Sequence, residues 1–194
     1  DAWANPELFL FDKDRNPVKV AGVPPDYFSV TGQLWGNPLY DWAYLEKTNF
    51  EWWIKRIQMN FEISDFVRID HFRGFEAYWA VPSDEETAIN GEWIKCPGKK
   101  MFEEIEKKLG KTAIIAEDLG IITPEVEDLR DSFNFPGMKI LQFAFNPNED
   151  NPYLPHNHIK NCVIYTGTHD NNTTLGWYQN LSIEETNFIK NYLK

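Results

Sequence analysis

Cysteine, clustered basic residues and long apolar runs are all scarce in this chain, and each scarcity excludes a class of protein. Among 194 residues there are 2 cysteines, 19 basic residues and 30 acidic residues, giving a formal charge of -11. The basic residues are scattered, so the sequence offers no patch for nucleic acid or for an anionic membrane. A neutral or cationic partner fits this charge better. No apolar run approaches the ~20 residues that span a bilayer.

The two cysteines and the first residues of the chain give two further expectations. Cys96 and Cys162 have no paired spacing, and we interpret them as free, buried thiols rather than as a disulfide or a metal site. The chain opens with Asp1 and shows no signal peptide, which predicts a cytoplasmic location.

Aromatic side chains are abundant, at 15% of the residues. Flat rings fill protein cores, and they also offer faces on which sugar rings can lie.

Apolar periodicity divides the chain into an irregular first part and a second part that alternates helices and strands. Residues 1–48 are rich in proline, glycine and aspartate, and we interpret them as a long cleft-lining loop region. Residues 49–194 are predicted to alternate helices with strands. Helices are predicted at 50–60, 101–109 and 124–132 and from Ser182 onward, and strands end near Asp70 and Glu117 and lie within 138–145 and 162–172.

The alternation predicts an α/β fold with parallel strands and crossover helices. Asp70, Glu117 and Asp170 each follow the end of an apolar run, and the carboxyl ends of barrel strands form the active face. A flat doubly wound sheet would also bring such residues together, but no glycine-rich phosphate turn follows any strand. A full barrel takes ~250 residues. We therefore predict a partial (β/α)8 TIM barrel, covering about its middle to later strands, in a fragment of a larger catalytic domain.

The segment FVRIDHFRG places one carboxylate among several basic side chains. Asp70 ends its apolar run and is flanked by Arg68, His71 and Arg73. Nearby cations favour the ionised form of a carboxylate, which is the form required of a nucleophile or of a group that stabilises positive charge. The alternative is that Arg68 and Asp70 form only a structural ion pair that closes one end of the barrel.

Two further acidic positions have different surroundings. Glu117 follows the apolar run AIIA without a basic neighbour, so burial is expected to raise its pKa and keep it protonated, as a general acid requires. Asp118 points the opposite way on a strand, which favours a supporting or structural role. Asp170 follows a third strand, preceded by His169. One ionised carboxylate, one protonated carboxyl and a third acid are the requirements for cleaving a glycosidic bond with retention.

Metal catalysis and a nucleophilic triad are the disfavoured alternatives. No spacing among the four histidines matches a metal motif, and the arginines beside Asp70 would repel a cation. The sequence has no Gly-x-Ser-x-Gly elbow, and neither cysteine has a histidine nearby in sequence. We therefore expect no metal and no cofactor. The imidazole of His169 is expected to donate a hydrogen bond to a substrate hydroxyl.

Five segments, in this order, resemble the 4-alpha-glucanotransferases, also called amylomaltases or disproportionating enzymes, of the alpha-amylase superfamily. They are VAGVPPDYFSVTGQLWGNPLYDW, VRIDHFRGFEAYW, AEDLG, FPGMKILQFAF and TGTHDNNT. The resemblance extends over nearly the whole chain and covers the middle to later part of the family's usual length. It implies that Asp70 is the nucleophile, Glu117 the general acid/base and Asp170 the stabiliser of the transition state.

The resemblance also implies a set of substrate-binding residues. Arg68 would hold Asp70, and His71 and His169 would contact the donor-side sugar. Tyr27 and Phe28 lie in the segment that resembles the family's mobile loop, and Trp35 resembles its aromatic contact on the acceptor side. Asp118 is also counted among the substrate-binding residues. Without the family, core packing would be the better interpretation of those three aromatic residues.

The implied function is transfer of an alpha-1,4-glucan segment to the 4-hydroxyl of another chain, through a glucosyl ester on Asp70. Two alternatives stay open: a hydrolase of the same superfamily, and an inactive fragment that only binds glucan or serves a structural role. The expected partners are maltooligosaccharides, the rest of the parent chain and a second copy of the fragment. Neither nucleic acid nor a membrane is expected.

Overall fold

The structure is a computed structural model that describes residues 1–26, 29–146 and 151–194. Two predicted substrate contacts, Tyr27 and Phe28, lie outside the described residues. The strands are β1 (Lys19–Val23), β2 (Gln33–Pro38), β3 (Val67–Ile69), β4 (Ala77–Pro82), β5 (Glu92–Lys95), β6 (Ile114–Ala116), β7 (Gly137–Ile140) and β8 (Cys162–Tyr165). The helices are α1 (Trp42–Lys47), α2 (Glu51–Phe61), α3 (Gly98–Leu109), α4 (Pro124–Ser132), α5 (Thr174–Gln179) and α6 (Ile183–Tyr192).

Two parallel strand pairs carry the segments that hold the predicted catalytic residues. β3 pairs with β6, so that Ile69 lies opposite Ala116, and β7 pairs with β8. A hydrogen bond of 2.9 Å from the main-chain N–H of Ala116 to the carbonyl of Pro136 connects the two pairs. The predicted α/β class and the parallel pairing are therefore confirmed, whereas closure into a barrel stays a prediction.

A four-stranded antiparallel sheet, in the order β2-β1-β4-β5, was not expected from the sequence. The interpretation of residues 1–48 as a loop region is wrong for β1, β2 and α1, and the hairpin of β4 and β5 interrupts the alternation predicted after residue 49. Gly22 explains part of the error, because a Cβ there would lie 2.6 Å from the carbonyl oxygen of Gln33. Close pairing of β1 with β2 thus requires a glycine, a residue that weakens the strand signal.

The end signals of the predicted helices agree with the structure. Gly110 ends α3 with a φ of 77°, a left-handed value that favours glycine. Ser182 and Glu185 form the reciprocal capping box at the start of α6. Pro124 begins α4 as predicted, but the hydroxyl of Thr123 makes no capping hydrogen bond. Caps are local, which is why the sequence locates these ends well.

Aromatic packing anchors the segment that follows Asp70. Phe72 is fully buried, and its ring stacks on the ring of Phe102 in α3 at a centroid distance of 5.6 Å. Phe135 meets Phe72 edge-on at 6.1 Å. Burying a ring of this size stabilises the fold by ~1.5 to 3 kcal/mol. The predicted site residue Asp70 therefore lies two positions from a fixed core contact.

The last strand departs from the prediction that the strands are buried on both faces. Ile164 and Tyr165 of β8 are 48% and 38% exposed, because within the described ranges β8 pairs only with β7.

Cys96 and Cys162 are free thiols as predicted, but both are half-buried rather than buried. None of the helices in the described part of the chain has the length and apolar character needed to cross a membrane.

Candidate active site

A cleft of about 530 Å³ brings together the three predicted catalytic residues. Asp70 follows β3, Glu117 follows β6, and Asp170 lies in the loop after β8. The cleft is also lined by three of the predicted substrate-binding residues, namely Arg68, His71 and Trp35. A second cavity of about 710 Å³ shares Trp35, Asp70 and His71 with the cleft. Asp70 thus lies where two cavities meet.

Asp70 is paired with a cation and remains open to the cleft. Its Oδ1 lies 2.7 Å from Nη2 of Arg68, and its side chain is 76% exposed. The Nε of Arg68 also contacts the sulfur of Met138 at 3.4 Å, which fixes the guanidinium against β7. The ion pair therefore holds the carboxylate without burying it, leaving the carboxylate accessible to an electrophile.

Glu117 is held by two main-chain donors in a partly buried position. Its Oε2 accepts from the N–H of His71 at 2.6 Å, and its Oε1 accepts from the N–H of Leu119 at 3.0 Å. Burial raises the pKa of Glu117, and these two hydrogen bonds oppose that rise only in part. The direction agrees with the sequence-based expectation. The protonated form, which can donate a proton, is favoured relative to that of a free glutamate.

His71 has a backbone conformation that is uncommon for a residue with a side chain. Its φ is 46°, in the left-handed region, immediately after Asp70. The Trp35 ring and the imidazole are nearly perpendicular, with their centroids 4.8 Å apart. Burial lowers the pKa of His71 to about 4, despite the opposing effect of the Asp70 carboxylate. The ring is therefore neutral above that pH and contacts the cleft as an uncharged hydrogen-bonding group.

Asp170 lies on a compact turn that is held by its own polar groups. The side-chain oxygen of Asn171 accepts from the N–H of Thr168 at 2.8 Å, and the Thr168 hydroxyl accepts from the N–H of Asp170 at 3.3 Å. Nε2 of His169 lies 3.5 Å from Oδ2 of Asp170, and both side chains are exposed. His169 does not line the cleft, whereas Thr168, Asp170 and Asn171 do.

Asp118 is a predicted substrate contact that is buried away from the cleft. It is buried, forms an ion pair with Arg130, and accepts a hydrogen bond of 2.7 Å from the main-chain N–H of Met138. A Cβ on Gly137 would lie 2.3 Å from Oδ2 of Asp118, so the glycine makes room for the carboxylate. The substrate-binding prediction for Asp118 is wrong because its side chain points toward β7, and the structural interpretation fits.

The family follows from the match over the whole sequence. The model of the 4-alpha-glucanotransferase family matches residues 1–194. The chain belongs to this family. It is 59% identical to the 4-alpha-glucanotransferase of Synechocystis sp. over 196 residues, and 55% identical to that of Thermus thermophilus over 195 residues. In both comparisons the whole chain is covered, together with 39% of the relative.

A solved structure in the same family has the same fold over this region. An amylomaltase from Streptococcus agalactiae, determined in complex with acarbose, superposes with a TM-score of 0.95 at 46% identity. The match covers 99% of this chain and 39% of that protein. The chain thus spans about two fifths of the length of the family members it matches, which agrees with the expectation that it is part of a larger protein.

Several cleft residues of this family member were missed from the sequence. Trp93, Phe143 and Asn171 line the cleft together with Arg73. Phe143 follows the apolar run of β7, and Asn171 follows Asp170, so their positions at strand ends could have indicated them. Trp93 lies on β5, which itself was not predicted. Within the described ranges, no three His, Cys, Asp or Glu side chains are arranged to hold a metal ion.

Proposed function

We propose that the protein to which this chain belongs transfers alpha-1,4-glucan segments between maltooligosaccharides, with retention and without a cofactor. The observation that carries the proposal is the contrast between two carboxyl groups on one cleft. Glu117 is partly buried with a raised pKa, and Asp70 is exposed and paired with Arg68. Such a division suits one carboxyl to proton transfer and the other to attack on carbon.

The first half-reaction uses Asp70 as the nucleophile. Its carboxylate attacks the anomeric carbon while the glycosidic bond breaks, and Glu117 gives its proton to the departing 4-oxygen. Asp170 faces the developing positive charge on the sugar and lowers its energy. The products of this step are a glucosyl ester on Asp70, an ionised Glu117 and a shortened glucan chain that leaves the cleft.

The second half-reaction uses Glu117 as a base. An acceptor 4-hydroxyl gives its proton to Glu117 and attacks the anomeric carbon, and the ester bond to Asp70 breaks. The second step returns the proton to Glu117 and frees the carboxylate of Asp70, so the enzyme returns to its starting state. Transfer exceeds hydrolysis when a sugar rather than water occupies the acceptor position. Trp35, which lines the cleft and contacts His71, would provide an aromatic surface at that position.

Membership of the family supports the reaction class, and the amylomaltase with bound acarbose supports a saccharide ligand. We infer further that the parallel pairs β3–β6 and β7–β8 belong to a (β/α)8 barrel completed by the rest of the parent chain. A cytoplasmic location stays a prediction. The hydrolase alternative uses the same carboxylates, so products rather than residues must separate the two.

The test is incubation of the full-length protein with maltotriose. Transfer is expected to yield glucose together with oligosaccharides longer than maltotriose, with no net increase in reducing ends. A steady increase in reducing ends would instead show hydrolysis. Asp70→Asn is expected to abolish both products, whereas Asp131→Asn, a change at an exposed carboxylate outside the cleft, should leave them unchanged. The isolated 194-residue chain is expected to give no product.

A further inference from the structure

Arg73 and Trp93 form a stacked pair on the cleft wall that the proposed catalytic steps do not use. The guanidinium carbon of Arg73 lies 4.1 Å from the centroid of the Trp93 ring. The same guanidinium donates from Nη1 to the carbonyl of Ile121 at 3.3 Å. All three residues line the cleft that contains Asp70 and Glu117. The pair thus belongs to the same continuous space as the predicted catalytic groups.

The indole of Trp93 is exposed although it is rigidly supported. Trp93 is 42% exposed, and Ile121, the hydrogen-bond partner of Arg73, is 57% exposed. Trp79 lies directly opposite Trp93 in the β4–β5 pair and meets it edge-on at a centroid distance of 5.4 Å. The Nε1 of Trp79 is itself fixed to the carbonyl of Ala88 at 2.9 Å. An exposed aromatic ring that is supported from behind and lines an open cleft is typical of a binding surface rather than of core packing.

The chemistry of the pair selects a neutral ligand with both apolar and hydroxyl groups. Trp93 offers C–H groups the part of its ring that Arg73 leaves exposed. An arginine carries five N–H donors in a fixed plane, of which the contact with Ile121 uses one. The cleft that Arg73 lines also contains the carboxyl groups of Asp70, Glu117 and Asp170, which disfavours an anion such as phosphate. A glucosyl ring, with C–H groups on its faces and hydroxyls around its edge, meets both requirements.

The position of the pair indicates which glucosyl unit it would meet. Arg73 and Ile121 lie on the segments that follow Asp70 and Glu117, whereas Trp93 lies on β5 of the antiparallel sheet, outside the parallel strand pair that these two carboxyl groups follow. We propose that Arg73 and Trp93 form an outer subsite, which binds a glucosyl unit of the alpha-glucan away from the bond that is broken. This inference rests on the proposed function. The alternative is that Arg73 only ties β5 to the loop after Glu117.

The test measures how the effect of losing the indole depends on substrate length in the full-length enzyme. Trp93→Ala is expected to lower kcat/KM for maltoheptaose roughly tenfold, the scale of one lost aromatic contact, and to change kcat/KM for maltotriose by less than about twofold. Trp93→Phe keeps a ring and should recover most of the maltoheptaose activity. Tyr44→Ala is the matched control, since Tyr44 on α1 is 37% exposed and lies outside the cleft.

Each result decides between the two roles. A selective loss for maltoheptaose supports the subsite, and equal losses for both substrates, or no loss for either, overturn it. If Trp93→Ala fails to fold, Trp93→Leu keeps apolar bulk on β5 without the flat ring, and the same comparison applies. A wild-type enzyme that does not transfer maltotriose would refute the proposed function. A wild-type enzyme that transfers, with an unchanged ratio in the variant, would refute the subsite alone.

Discussion

The main-chain N–H of His71 donates to Oε2 of Glu117 over 2.6 Å, and His71 makes this contact with a φ of 46°. The N–H of Leu119 binds the other oxygen of the same carboxyl. Main-chain groups therefore orient the predicted general acid from both sides. The side chain of His71 is not required for this bond, but its left-handed backbone is part of the geometry that directs the amide.

The backbone of His71 is the subject of the first prediction. In His71→Val, a β-branched residue in the left-handed region costs ~1 to 2 kcal/mol, so the segment is expected to relax and lose the bond to Glu117. Because that bond favours the ionised carboxyl, its loss raises the pKa of Glu117 further. The basic limb of the kcat/KM profile, which reports the protonated acid, should then move to higher pH.

His71→Asn is the matched control, because asparagine tolerates the left-handed region and the imidazole is lost in both variants. Its basic limb is expected to stay near that of the wild type. Equal movement of the limb in both variants would assign the effect to the imidazole and contradict the backbone account.

The second prediction separates the two duties of Glu117. Glu117→Gln in the full-length enzyme should slow transfer from maltooligosaccharides by ~10²- to 10⁴-fold, because their leaving oxygen needs a proton. Alpha-glucosyl fluoride needs little protonation and should still react. A glucosyl ester should then accumulate on Asp70, since the second step lacks its base. Intact-mass analysis and peptide mapping would locate the adduct, and an adduct on Asp170 would reverse the two assignments.

The third prediction concerns the buried pair of Asp118 and Arg130. Asp118→Ala leaves the guanidinium of Arg130 and the N–H of Met138 without that partner, and is expected to lower the free energy of unfolding by ~3 to 5 kcal/mol. Asp131 contacts the same arginine at 2.8 Å but is exposed, so Asp131→Asn should cost ~1 kcal/mol or less. Urea denaturation compares the two, and similar losses would show that burial is not the deciding factor.

The fourth prediction concerns the open side of β8 in the isolated chain. An exposed strand with apolar side chains can pair with another chain, so we expect association that increases with concentration. Ile164→Lys should weaken it, while Ile63→Lys, at an exposed position outside the strands, should not. Sedimentation velocity measures both. A chain that stays monomeric at every concentration tested would contradict the prediction.

The sequence predicted which carboxyl groups share one cleft better than it predicted the sheets. Asp70, Glu117 and Asp170 were singled out because a polar residue after an apolar run is a local signal, and their catalytic roles stay predictions. The end of α3 and the start of α6 were located by their caps. These features involve neighbouring residues only. The burial that raises the pKa of Glu117 could be anticipated from the run that precedes it.

The antiparallel sheet could not be anticipated in the same way. β1 and β2 depend on Gly22, whose role becomes visible only when the Gln33 carbonyl lies against it. The pairing of Trp79 with Trp93 likewise depends on register between strands. Since register and close approach are tertiary properties, single-sequence periodicity missed both β5 and the tryptophan that it carries into the cleft.

The register of β3 against β6 also affects how the molecule folds. Residues 70–113, which include the β4–β5 hairpin and α3, lie between the two strands in sequence. Pairings that close long stretches of chain form slowly, whereas helices and hairpins form early. We therefore expect Asp70 and Glu117 to come together after the intervening segment has folded. During refolding of the full-length protein, transfer activity is expected to recover later than the helical signal, and the delay would measure how long this strand pair takes to close.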